Sequence, residues 1–592
     1  MQLRQVFAQR SALSAQLARS SIQELPVEVS TLNAYGWRLL RERVTHEGKP
    51  LIQSAHALRL MADLRKQLQN TSPERHSLLP STLRNRVYLQ FFSVLKNVLL
   101  DPRESNTQSI ADHILATQAR VFDINPQDPV STRGIVQALI WLYREYEAAL
   151  QRNNLMDYDD QKLRAYQALA GDSSLRASVQ GRLSEVLVDE FQDINLLDFE
   201  LIKLLAERAD LVVCGDDDQA IYGFRGCTSD YIIDLEKQLG REVHSYELRT
   251  NYRCPPNIVE HATRLIRFNT RRIEKNPIAA QTTPSKIKVI SSVSAAIEGR
   301  LIHKMIRRIR GSAPVGFDDF AVLYRTNAQS LPLQIEFVLN DIPYSVRDED
   351  NILRNEELEK LLGVLRLKSA IERHEPPQPR DGVLAVRSYF RFVSPREQQQ
   401  VLRALQGTHD FTAAIQSRSF FQALPKAERS NFPTSMAAVL DTRNLADTLT
   451  ILGARFPGLQ GMVGSLEDAV EERVPLGELI EVGRLFRGST DDFVETIQRA
   501  LTRARGTNAG KDENGVALRT FFRAKGLQWH TVFVMSCNEG LVPHRRAPIE
   551  DERRLFYVAM TRASANLFIS HVKTVCGNPV PPSRFLAEAG IT

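Results

Sequence analysis

At 592 residues, with 43% hydrophobic and 25% charged side chains, the chain is too long for one core and ordinary enough in composition to fold; length alone predicts roughly three to five domains. Against 70 Asp+Glu, 76 Lys+Arg leave a net charge of +6, a mild lean toward polyanions that many enzymes share. The five cysteines form no CxxC pair, there is no HExxH string, and neither a membrane-length apolar stretch nor a signal-peptide core is present. This argues against a disulfide framework, a zinc ribbon and a membrane partner, and for a soluble protein of a reducing cytoplasm.

The N-terminal third is helical by pattern. A helix is predicted over Thr132 to Leu150, capped by Thr132, because Val136, Leu139, Ile140, Tyr143 and Tyr146 recur at helical spacing. From Glu185 short β-branched runs take over: Val186-Leu187-Val188, Leu211-Val212-Val213, Phe320 to Leu323, Val532-Phe533-Val534 and Leu567-Phe568-Ile569. Helix-length segments lie between most of them, which predicts parallel sheets flanked by helices, with ligands at the carboxyl ends of the strands. Between about Asn351 and Arg505 the strand pattern disappears. Helices such as Glu356 to Leu367 and Leu476 to Phe486 dominate there, with a break at Glu375-Pro376-Pro377-Gln378-Pro379, so a helical insertion is predicted to split the second sheet.

The polar clusters after the runs carry the chemistry. Asp189-Glu190-Phe191-Gln192-Asp193 follows the first run. One carboxylate there can hold Mg²⁺ and the other can polarise an attacking water. Gly215-Asp216-Asp217-Asp218-Gln219 and Ala220-Ile221-Tyr222-Gly223-Phe224-Arg225 follow the second. Three adjacent aspartates repel one another and suggest a site rather than a fold element. An amide such as Gln219 can sense a γ-phosphate, and an aromatic beside an arginine can stack on a base. The bland alternatives are a solvated strand end, an acidic turn and a core aromatic.

These two strings resemble motifs II and III of the superfamily 1 DNA helicases of the UvrD/Rep/PcrA type. Leu248-Arg249-Thr250-Asn251-Tyr252-Arg253 resembles motif IV, and Ala321 to Gln329 the family's next string. Thr520 to Gln528 resembles motif V and Glu552 to Ala563 motif VI, in the expected order. Val6 to Ala12 resembles motif Ia, Thr31-Leu32-Asn33-Ala34 the next DNA-contacting string, and Asn154 to Asp160 the string closing the first helical insertion.

The resemblance implies ATP and Mg²⁺ as cofactors. Asp189 would hold the metal, Glu190 activate water and Gln219 sense the γ-phosphate. Tyr252 would stack on adenine, Gln528 stand at the ribose position, and Arg253 and Arg562 reach the γ-phosphate. Phe7, Thr31, Asn33, Tyr222, Phe224, Arg225, Thr520 and Lys525 would meet single-stranded DNA, tolerant of sequence because every base has a π-face. The implied activity is an ATP-dependent 3′→5′ helicase or translocase on single strands and junctions, associated with the nucleoid.

The implied fold class is α/β: two RecA-like parallel-sheet motor domains, each with a mainly helical insertion. The first would be divided as 1–50, 51–155 (insertion) and 156–255, and the second as 256–350, 351–505 (insertion) and 506–592.

The chain departs from the pattern in two ways. No GxxxxGK[ST] loop precedes motif Ia; Phe7 has six residues before it, where a strand-loop-helix-strand unit needs roughly 30. Gly506-Thr507-Asn508-Ala509-Gly510-Lys511-Asp512 has the wrong spacing and reads as a loop. The first motor domain is therefore expected to be N-terminally incomplete, through a truncated frame, a late start or a split protein. The alternative function is an ATPase-deficient DNA-binding or regulatory subunit, with a separately encoded N-terminal piece or a nuclease as partner. In motif V, Phe522 stands where the family shows His and Gln528 where it shows Glu.

Overall fold

The computed structural model describes residues 27–591 except 45–48, 81–82, 84, 103–106, 120, 123, 126, 348–350, 407–409, 427–428, 460–474 and 507–514. Phe7, the motif Ia string and nearly all of the 506–512 loop lie outside the described residues. The chain divides into two compact units. Unit 1 comprises 1–216 and 222–243, and unit 2 comprises 217–221 and 244–592.

Among the described residues, the first helix of unit 1 is α1 (Leu32–Arg43), whose first turn is capped by the Thr31 hydroxyl accepting from Ala34 N. A helical group follows: α2 (Ser54–Thr71), α3 (Asn85–Asn97) and α4 (Pro129–Arg152). They share an apolar core of Leu64, Tyr88, Phe92, Leu139 and Tyr143. α4 begins three residues before the sequence expectation, because Asp128 rather than Thr132 caps it, accepting from Ser131 N, and Pro129 presets the first turn. Thr132 instead donates to the Asn125 carbonyl. The expected apolar stripe is intact: Val136, Leu139, Ile140, Tyr143 and Tyr146 are all buried.

The chain enters and leaves this group side by side, with Ile52 N bonded to Met156 O and Met156 N to Pro50 O. The neck is pinned by charge. Lys96, fully buried on α3, meets Glu147 of α4 at 2.7 Å, Asp157 at 2.7 Å and Asp160 at 3.0 Å. Burial alone would lower the Lys96 pKa; the three carboxylates overcome it and hold it well above the usual lysine range. Asp160 opens α5 (Asp160–Gly171).

Strand β1 (Glu185–Val188), helix α6 (Leu196–Leu205) and strand β2 (Asp210–Val213) then form a right-sized βαβ unit, the strands parallel with Val188 opposite Val213. A capping box between Asn195 and Asp198 starts α6.

In unit 2, the short strands β3 (Thr250–Asn251) and β4 (Ile278–Ala279) pair in parallel on either side of helix α7 (Pro256–Ile266). The main sheet follows: β5 (Lys286–Ser292), α8 (Ala295–Arg310), β6 (Phe320–Tyr324), α9 (Ser330–Leu339) and β7 (Tyr344–Ser345). Next come helices from α10 (Glu356–Glu372) to α11 (Leu476–Leu485) and α12 (Thr490–Gly506). The sheet resumes with β8 (Val516–Thr520), β9 (Trp529–Val534), α13 (Ile549–Met560) and β10 (Ala563–Val572). The strand order is β5-β10-β9-β6-β8-β7, all parallel.

All five residues of β6 are buried, as expected of a central strand covered on both faces. Between β7 and β8 the described residues form no strand, and the break at 375–378 separates α10 from a helix that starts at Pro379. The α/β class and the helical interruption of the second sheet are thus as the sequence implies. β5 and β8 lack an unbroken apolar run: Lys286-Ile287-Lys288 and Leu518-Arg519-Thr520 dilute the pattern with charge.

Candidate functional site

The acidic string begins where β1 stops. Glu190 adopts a left-handed backbone, φ 53 and ψ 40, which turns the chain sharply and leaves the side chains of Asp189 and Glu190 exposed. Glu190 N donates to Asp189 Oδ1 at 3.0 Å. The buried Gln192 amide holds the turn: Nε2 donates to Glu190 Oε2 at 2.6 Å and Oε1 accepts from Asp216 N at 3.0 Å. One amide thus ties the string after β1 to the string after β2. Gly215 makes room for it, since a Cβ there would lie 2.5 Å from Gln192 Oε1. Gln192 received no separate role in the sequence; its only signal is its place between two acidic residues.

Aspartates 217 and 218 differ from expectation. Both are buried and engaged: Arg272 donates to Asp218 at 2.9 and 2.7 Å, and Lys275 lies 3.0 Å from Asp218 and also bonds Asp217. Ile273 N adds a bond to Asp217 Oδ2 at 2.8 Å. Burial raises the Asp217 pKa, Lys275 opposes, and Asp218 adds to the rise. The repulsion within the triplet is met by two cations, so these two aspartates anchor the turn that carries Gln219.

Around Gln219, unit 2 gathers most of the residues assigned to nucleotide. Arg562, 1% exposed, donates from Nη2 to Gln219 Oε1 at 3.2 Å, from Nε to Val558 O at 2.9 Å and from Nη1 to Leu527 O at 3.4 Å. Lys525 Nζ donates to Gln219 O at 2.7 Å, so the lysine expected at DNA braces the Gln219 turn. Arg253 Nε donates to Gln528 Oε1 at 2.9 Å; the amide that replaces the family's carboxylate keeps an acceptor for the guanidinium. The Asn251 side chain accepts from Arg253 N and Cys254 N at 3.0 and 2.9 Å. This turn points the Tyr252 ring outward, 80% exposed, so Tyr252 is no core aromatic.

Among the residues expected at DNA, Phe224 is 59% exposed and Arg225 lies over the Tyr222 and Phe224 rings at 5.2 and 5.5 Å. Thr31 caps α1 and Asn33 Nδ2 donates to Tyr158 O at 2.8 Å, so both have structural work. Thr520 ends β8 with its hydroxyl unused as a cap. Phe522, at the family's histidine position, lies under the Arg325 guanidinium at 4.9 Å. Arg325 also pairs with Glu552 at 2.9 Å, joining the string after β6 to motif VI. Beside them burial pushes His544 down to about 4, with Arg325, Arg546 and Arg545 adding to the drop.

A parallel-sheet unit with an Asp-Glu strand end, and a second that presents an outward tyrosine, two arginines and a glutamine, define the class of the superfamily 1 helicases. The UvrD/REP helicase N-terminal domain model matches residues 9–240, and the UvrD-like helicase C-terminal domain model matches 246–373 and 475–574. The chain belongs to the UvrD/REP helicase family.

Among its relatives, the ATP-dependent DNA helicase PcrA of Bacillus subtilis is 28% identical over 538 residues, 84% of this chain and 70% of that protein. PcrA of Staphylococcus aureus is 29% identical over 475 residues, 76% of this chain and 64% of that protein. PcrA of Leuconostoc citreum is 25% identical over 612 residues, 95% of this chain and 79% of that protein. The chain thus spans 64–79% of the length of these relatives.

Proposed function

We propose that the protein is an ATP-dependent DNA helicase or translocase that moves 3′→5′ on single-stranded DNA, in repair, recombination or replication. The observation that carries this reading is the gathering of Gln219, Arg253, Gln528 and Arg562 beside the outward ring of Tyr252. The donor set suits a nucleoside triphosphate: an exposed ring for the base, an amide at the ribose position, and two permanently charged guanidinium forks for the γ-phosphate. In this reading Asp189 holds Mg²⁺, which when bound neutralises phosphate charge, and Glu190 takes a proton from the attacking water, its carboxylate oriented by Gln192. Phe224, Tyr222 and Arg225 offer a stacking platform for bases in any sequence. We assign the motor domains and insertions as 1–50 with 156–255 around 51–155, and 256–350 with 506–592 around 351–505. The protein would act in the cytoplasm at the nucleoid, on single strands and junctions.

A second reading is a DNA-binding or regulatory chain that does not turn over nucleotide. It is favoured by the lack of a GxxxxGK[ST] string among the 592 residues, since that loop's amides and lysine cradle the phosphates. Strand displacement on tailed duplexes tests the choice. Helicase action releases the labelled strand from a 3′-tailed duplex with ATP and leaves a 5′-tailed duplex intact. Binding to both tails with displacement of neither supports the second reading.

A further inference from the structure

Helices α8, α9, α11 and α12 of unit 2 enclose an open cavity of about 560 Å³. Its rim carries Arg300, Lys304, Arg487 and Arg499, and Leu339 and Phe486 contribute apolar surface. Three carboxylates also line it, but two are engaged locally. Glu336 faces His303 Nδ1 at 3.0 Å, accepts from Asn340 Nδ2 at 3.0 Å and lies 3.8 Å from Arg300. Asp492 accepts from Ser489 N and Oγ, both at 2.7 Å, at the start of α12.

That leaves Glu495 against Lys304, Arg487 and Arg499, and among the described residues none of these three cations makes an ion pair. Lys304 also acts on the wall: burial lowers the His303 pKa, and Arg307 and Lys304 add to the fall against the pull of Glu336. Cations gathered on a concave surface repel one another, which opposes folding. The Phe486 ring is set edge-on to Phe493 at 5.4 Å, which fixes its plane.

We propose that this cavity binds a small phosphate ester carrying a planar ring, of mononucleotide size. The arginine forks suit phosphate oxygens, the Phe486 face suits the ring, and the volume falls within the range of small-ligand sites. The site shares no residue with the set around Gln219. Its walls come from helices beside the main sheet (α8, α9) and from the last helices before β8 (α11, α12), so a bound ligand holds these two parts of unit 2 together.

The test is titration of the full chain with adenosine monophosphate, followed by calorimetry. The expected result is one saturable site in the wild type and in Tyr252→Ala. Affinity falls on the order of tenfold or more in Arg487→Glu/Arg499→Glu, and similarly in Lys304→Glu as an independent exposed variant, because charge-assisted phosphate bonds are lost. Adenosine, lacking the phosphate, binds at least as weakly as the variants bind the monophosphate. The proposal is overturned by no saturable binding, by affinity unchanged in the charge reversals, by equal binding of adenosine, or by loss of binding in Tyr252→Ala. Failure of helicase action leaves each of these outcomes readable.

Discussion

Gln192 shows how much a single side chain decides in unit 1. Its amide links the Glu190 carboxylate to the backbone at Asp216, and it fits because Gly215 has no side chain. Gly215→Ala places a methyl 2.5 Å from Gln192 Oε1 and 2.8 Å from Ile232 Cδ1. Breaking that bond and crowding the turn should cost about 1–3 kcal/mol, read as a lower urea midpoint with an unchanged slope; an unchanged midpoint would mean the turn relaxes freely. At this scale the sequence was legible where chemistry is local. Asp189, Glu190 and Tyr252, each singled out within a short string, are exposed. It was not legible where partners lie far along the chain. Asp217 and Asp218 look like a site until Arg272 and Lys275, more than fifty positions away, are folded onto them. Lys525 and Asn33 likewise find backbone carbonyls that no local pattern announces.

Among elements, the strands with unbroken β-branched runs were readable, and β5 and β8 were hidden by alternating charge. Helix starts were less readable, since Asp128 and Thr132 are both good caps and only the fold selects Asp128. One buried charge ties elements together. Lys96→Met leaves Glu147, Asp157 and Asp160 without their cation and should destabilise unit 1 by about 3–5 kcal/mol in chemical denaturation. A variant as stable as the wild type would show that the neck does not depend on the lysine.

Glu478 on α11 is different. Burial pushes its pKa up to about 7 from 4.5, against the bonds it accepts from Cys576. The folded state therefore holds the proton more tightly than the unfolded chain. The associated stability is full below pH 4.5 and is lost as pH rises through about 7. Glu478→Gln should be more stable than the wild type by ~1–3 kcal/mol near pH 8, with the difference vanishing in acid. A pH-independent difference would contradict this assignment.

Across the whole molecule, the order of motifs carried the class and composition carried almost nothing: a net charge of +6 in 592 residues does not mark a DNA-binding protein. Among the described residues no helix is long and apolar enough to cross a membrane. The helices between β7 and β8 are the least readable part. Residues 374–474 fall between the two segments matched by the C-terminal domain model, and the described residues among them include an apolar cluster in which Tyr389 meets Phe432 and Phe456.

In the proposed reading Arg562 and its partners read the triphosphate in a DNA-driven motor, and ATP hydrolysis by the full chain, with and without single-stranded DNA, beside Arg562→Ala, tests this. Turnover is expected to rise with DNA and to fall by about 10³-fold or more in the variant, as loss of a phosphate-reading arginine does. A folded protein that binds single strands but shows no DNA-stimulated turnover, or turnover indifferent to Arg562, would contradict it.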